Sequence, residues 1–147
     1  MSTGKTNAKW IRVWVEDSGT TLRDISTDVT DVNMPITVAS TDVTGYSDGV
    51  INFTVGQPDQ PVTMSGHLNN TADTGSHIVL RGIVGQATPL ISLRIQVGIL
   101  AAPSGTDPEY EGEYLCTEYS LAGDLKWNAT FLPGSSTAPD WDTFTAP

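Results

Sequence analysis

The sequence predicts a mainly β protein: a β-sandwich with one short flanking α-helix, built as a single domain over residues 1–147. Side chains alternate apolar and polar with a period of two along most of the chain, as they do on a pleated strand with one buried face. Only one segment departs from that period. Glycine and proline, 14 and 9 in number, fall mainly between the alternating runs, where turns are needed.

The first strand is expected over Trp10 to Val15, with Ile11, Val13 and Val15 on one face and Trp10, Arg12 and Trp14 on the other, ending at the turn Asp17-Ser18-Gly19. Short strands are expected over Asp28 to Asn33 and Val50 to Val55. A stronger one runs from Val62 to Leu68, with Val62, Met64, Gly66 and Leu68 opposed by Thr63, Ser65 and His67. Between His77 and Val84 the apolar positions Ile78, Val79, Ile83 and Val84 return four and five residues apart, which predicts the helix. Asp73 or Thr74 is expected to cap it, and Gly82 and Gly85 keep it short. The clearest alternation follows, Ile91, Leu93, Ile95, Val97 and Ile99 against Ser92, Arg94, Gln96 and Gly98. Strands over Glu113 to Leu121 and Leu125 to Phe131 are joined by the hairpin turn Ala122-Gly123-Asp124. Thr37 to Gly49, Gly56 to Pro61 and Ala101 to Gly112 read as loops, with a flexible arm over about 1–8 and a tail over about 133–147 in which Trp141 and Phe144 are docking points.

Seventeen acidic against seven basic residues leave a net charge of −10, which argues against gripping nucleic-acid phosphates. The one cysteine, Cys116, has no intrachain partner and reads as a buried thiol. The N-terminus lacks a signal-peptide pattern and no apolar run has membrane-spanning length, so synthesis in the cytosol without a membrane partner is expected. No phosphate loop, GxSxG, HExxH or CxxC occurs, and no catalytic residue, cofactor or metal is assigned. His67 and His77 read as boundary histidines. The acidic run Asp107, Glu109, Glu111 and Glu113 lacks an EF-hand spacing and reads as a solvated loop rather than a Ca²⁺ site. Trp10, Trp14, Trp127 and Trp141 suit either a sugar-stacking platform or core and interface packing.

Several segments occur in an informative order. Leu22-Arg23-Asp24-Ile25-Ser26 precedes Asp28-Val29-Thr30, and Asp42-Val43-Thr44-Gly45-Tyr46-Ser47-Asp48 follows. Then come Pro61 to Leu68, the helix, Gly112-Glu113-Tyr114-Leu115-Cys116-Thr117-Glu118-Tyr119, Trp127 to Phe131, and Pro139-Asp140-Trp141. Together they resemble the tail-tube, or major tail, proteins of long-tailed bacteriophages. The resemblance implies six copies closing a ring, and rings stacking into a hollow tube through which the genome leaves the capsid. It also implies a virion component, made in the host cytoplasm, that contacts other tail proteins such as the terminator, tape measure and tail tip. DNA then passes without specific binding.

Ring-to-ring contacts are expected from the two termini and from Thr37 to Gly49, centred on Thr41, Asp42, Val43, Thr44, Gly45 and Tyr46. No long hairpin of the kind some tube subunits carry is evident in the sequence. A capsid decoration or tail-completion protein with a compact acidic β-sandwich is an alternative; a carbohydrate-binding β-sandwich module, which predicts an exposed aromatic row, is a second class, and a small hydrolase a third.

Overall fold

The computed structural model describes residues 6–147. Residues 1–5 of the expected N-terminal arm lie outside the described residues. A 3-10 turn, Ala8–Trp10, leads into β1 (Ile11–Glu16), followed by β2 (Leu22–Asp24), β3 (Val29–Asn33), β4 (Thr37–Asp42), β5 (Phe53–Asp59) and β6 (Val62–His67). The helix α1 (Ser76–Ile83) precedes β7 (Ile91–Val97), β8 (Pro108–Leu121), β9 (Lys126–Pro133) and β10 (Asp140–Thr143). The protein is thus mainly β, with one short helix.

Eight strands form one antiparallel sheet in the order β2-β1-β7-β8-β9-β6-β3, with β10 on β8. β2 and β3 end this order, yet only Ile25 to Asp28 separate them in the chain. The sheet therefore curls until its two ends meet: Ile11 and Val13 of β1 and Val29 and Val32 of β3 line one cleft. Inside the curl lies a single core, formed by the inward-pointing half of each alternating strand. It includes Val13, Val15, Val62, Met64, Ile91, Leu93, Ile95, Tyr110, Tyr114, Cys116, Trp127, Ala129 and Phe131, and α1 closes over it with Val79, Leu80 and Ile83.

Gly66 shows how tightly this is packed. A Cβ there would overlap the Asp28 carbonyl and stand 2.8 Å from Trp127 Cζ2. Trp127 is itself fully buried, with its Nε1 donating to the His67 carbonyl at 2.9 Å and to Ser76 Oγ at 3.2 Å.

Several boundaries differ from those expected. The helix is capped neither by Asp73 nor by Thr74: its N-cap is Gly75, which makes no side-chain capping bond. Asp28, distant in sequence, takes that role, accepting from Ser76 N at 3.2 Å, and a carboxylate at a helix N-terminus is favoured by the dipole. A Cβ on Gly75 would collide with the backbone at Asn69 and Thr71, so the approach needs glycine.

The acidic run is not a solvated loop. From Pro108 onward it is strand, with Tyr110 and Tyr114 inward and Glu109, Glu111 and Glu113 on the opposite side. The largest correction concerns Thr37 to Gly49 and Gly56 to Pro61. Much of both stretches belongs to a long two-stranded hairpin, β4–β5, the element that was not evident in the sequence.

Candidate interaction surface

The β4–β5 hairpin forms a sheet of its own, and every residue of both strands is exposed. Its register pairs Val38 with Pro58, Ser40 with Val55 and Asp42 with Phe53, so these six share one face. Thr37, Asp59, Thr41 and Thr54 occupy the other. A bulge between Val38 and Ser40 sets two residues, Gly56 and Gln57, against Ala39 alone, and the one extra residue keeps Val55 and Phe53 in line with Val38. The arm is amphipathic as a result: a threonine-rich side backs an apolar stripe of Val38, Phe53, Val55 and Pro58. Ile36, Val50 and Ile51, also exposed, extend the apolar content of the arm beyond its strands.

Its tip is held by side chains rather than by packing. Asp42 Oδ1 accepts from Thr44 N at 2.9 Å and from Thr44 Oγ1 at 2.6 Å, and Thr44 Oγ1 accepts from Asn52 N at 2.8 Å. Asp48 Oδ2 accepts from Gly45 N at 2.7 Å. These bonds hold both carboxyls below their usual range, Asp42 through the Thr44 hydroxyl and amide, Asp48 through the Gly45 amide and the Asn52 side chain. Of the residues expected to make contacts between rings, Thr41 and Asp42 end β4 and Val43, Thr44, Gly45 and Tyr46 form the tip, all exposed. Sequence reasoning missed the apolar stripe, because Phe53, Val55 and Pro58 lie on the returning strand.

The root of the arm is anchored in the body. Gln60, which follows β5, is buried, and its Nε2 donates to the Pro139 carbonyl at 2.6 Å. Tyr114 Oη donates to the Gln60 carbonyl at 2.9 Å and lies 2.8 Å from Tyr110 Oη. Burial, then the bond to Tyr110, pushes the Tyr114 phenol up. The arm therefore stands on a rigid polar knot inside the core.

A second surface is the outer face of the sheet. Glu16, Glu109, Glu111, Glu113, Asp140 and Asp142 gather there around Arg94, whose Nε lies 3.9 Å from Glu111 Oε2. Ser92 donates to Glu113 at 2.7 Å and Gln96 to Glu109 at 2.8 Å. Among the described residues no group of three or more His, Cys, Asp or Glu is arranged to hold a metal ion. His77 Nδ1 is engaged by Tyr119 Oη at 2.8 Å, and burial raises the Cys116 thiol to about 11.

The tryptophans do not form a row. Trp127 is in the core, Trp141 stands edge-on to Tyr110, Trp14 donates to Gln96, and Trp10 lies under the Lys9 ammonium. Among the described residues no helix is long and apolar enough to cross a membrane.

No family model matches the chain, and no curated protein does. Solved structures do. A chain from the virion of a native gene transfer agent particle superposes with a TM-score of 0.63 at 14% identity, covering 95% of this chain and 100% of that one. A chain from the tail of an empty gene transfer agent particle, obtained by helical refinement with C6 symmetry, gives 0.59 at 15% identity, over 96% and 100%. A chain from the six-fold symmetrised baseplate of the anti-feeding prophage gives 0.62 at 10% identity, over 96% and 97%. The shared property is the fold, across almost the full length of each chain.

Proposed function

We propose that this chain is a structural subunit of a phage-like tail, in which copies close into six-membered rings and the rings stack into a tube that conducts DNA. One observation carries the reading: the β4–β5 hairpin offers an apolar stripe that stays exposed among the described residues. A monomeric protein gains nothing from holding Val38, Phe53 and Val55 in water on a rigidly rooted arm, whereas a neighbouring copy that covers them gains their burial. The fold likeness supports the same reading, since two of the similar chains come from assemblies with six-fold symmetry. A net charge of −10 suits a conduit that must not retain DNA.

In this reading the tip, Thr41 to Tyr46, and the stripe behind it contact the next ring. The partners are sister copies and the proteins that start, measure and terminate the tail. The place of action is the virion, and the work is done by assembly rather than catalysis. Negative-stain microscopy of the purified chain over rising concentration tests it, with stacked six-fold rings or hollow tubes as the expected result. Rings that never stack would refute the tube assignment, and a monomer at every concentration would refute assembly itself.

A further inference from the structure

β10 is held on β8 by an unusual set of pairs. Asp140 stands directly opposite Glu111 and Asp142 opposite Glu109, so both outward-facing pairs join like charges, an arrangement that weakens a sheet. Arg94 is the cation beside them, and it reaches Glu111 only at 3.9 Å. On the inner side β10 is well matched to its seat: Trp141 packs against Tyr110 with ring centroids 5.2 Å apart, and Pro139 fills the space that a side chain at Gly112 would need.

The segment leading to β10 is loosely attached. Residues 135–138 make no hydrogen bond to the body among the described residues; Thr137 N donates to Ser135 Oγ within the segment. Open clefts flank it on both sides, of about 220 Å³ over Arg94 and Glu111 and about 340 Å³ toward Gln57 and Gln60. Six residues, 134–139, thus separate β9 from β10 and reach roughly 20 Å when extended.

We infer that the outer edge of β8 from Pro108 to Glu111 is a strand-exchange site whose occupant, when two copies meet, is the Asp140–Thr143 strand of the second copy. The seat is specific because Tyr110 and Gly112 receive Trp141 and Pro139 equally well from either chain. Exchange is feasible because residues 135–138 make no bond to the body, while the bonds at the two ends of the segment, Gly134 N to the Glu113 carbonyl and Gln60 Nε2 to the Pro139 carbonyl, can be kept or remade when the strand comes from the other copy. Opening is favoured because the charged pairs repel, and an opened β8 edge is a ready template for another strand. Two copies suffice, so the inference stands independently of whether rings or tubes form.

Disulfide trapping tests it. Glu111→Cys and Asp140→Cys are made in separate, differently tagged chains, and also together in one chain; Cys116 is buried and stays in place. The double variant forms the intrachain bond and reports that β10 is correctly seated. In mixtures of the two single variants, an interchain 111–140 bond is expected whose yield rises with protein concentration. Its rate should fall several-fold at high salt, where screening reduces the repulsion, and in chains that also carry Asp142→Asn. Intrachain bonding in the double variant with none between the mixed chains would overturn the inference. So would an equal yield when Leu121→Cys, exposed at the far end of β8, replaces Glu111→Cys.

Discussion

Replacing Phe53 and Val55 together by threonine tests the hairpin most directly. Threonine suits an exposed strand, so the arm itself should persist. Phe53 is 62% and Val55 72% exposed, so their own fold uses only the smaller part of their burial energy. Full burial of such a side chain is worth about 1.5–3 kcal/mol, which leaves about 1–2 kcal/mol each to be gained on docking, or about 2–4 kcal/mol per hairpin. At 1.4 kcal/mol per tenfold, the concentration needed for assembly should rise roughly 30- to 1,000-fold. Monomer stability, read by urea unfolding with tryptophan fluorescence, should change by no more than about 0.5 kcal/mol, the usual range for exposed sites. Sedimentation across a concentration series gives the assembly threshold. The reasoning is refuted if that threshold moves less than threefold, or if the urea midpoint falls in step with it, since the stripe would then be supporting the monomer.

Gly66→Ala should destabilise by about 3 kcal/mol or more, read as a lowered urea midpoint, because neither the Asp28 backbone nor the buried Trp127 ring can retreat. Trp127→Phe should cost about 1–3 kcal/mol through the lost indole bonds to His67 and Ser76, and an unchanged melting temperature would contradict that role. Burial, then Glu109, with Asp140 and Asp142 adding and Arg94 opposing, raises the Glu111 carboxyl; burial, then Glu113 and Asp17 against the Ser92 bond, raises Glu16. The folded state therefore holds these protons more tightly than the unfolded state, so thermal stability should fall as pH rises above 4.5 and flatten once both groups are ionised, and Glu16→Gln with Glu111→Gln should remove that slope. Asp17 acts oppositely: burial raises it, but bonds from Thr21, Arg23 and Gly19 outweigh this and lower it, so its contribution is lost as pH falls below 3.8. With its thiol raised to about 11, Cys116 should label with a disulfide reagent at pH 8 only at the rate of unfolding.

The strands that sequence periodicity located well are those with one dry and one wet face. Val62 to Leu68 and Ile91 to Ile99 alternate because alternate residues enter the core, and the structure forms strands within both. Where neither face is buried, no alternation is selected, and Thr37-Val38-Ala39-Ser40-Thr41-Asp42 reads as loop although it is regular strand. The acidic start of β8 failed differently. Glu109, Glu111 and Glu113 do alternate with Tyr110, Gly112 and Tyr114, but their composition masked the period, and only tertiary structure explains the burial of Glu109 under Gln96. The helix was legible while its cap was not, because Asp28 arrives from a distant segment. As for the site, Thr41 to Tyr46 lie on the arm, whereas the stripe that gives it purchase was invisible without the cross-strand register.

An exposed two-stranded hairpin is at best marginally stable without a packed face. Here the Asp42, Thr44 and Asn52 bonds fix the tip and the Gln60, Tyr110 and Tyr114 knot fixes the root, while the middle has cross-strand pairs and no further support. In the proposed assembly, docking would supply the missing burial and meet the entropic cost of ordering that middle section. If the proposed assembly holds, its subunits should associate weakly in pairs and firmly only where several neighbours hold the arm at once. The strand-exchange inference applies the same economy to β10, whose like-charged pairs with Glu111 and Glu109 weaken its hold on β8. Both elements make fewer core contacts than the rest of a tightly packed molecule, and elements that must change partners in an assembly are drawn from that low-stability end.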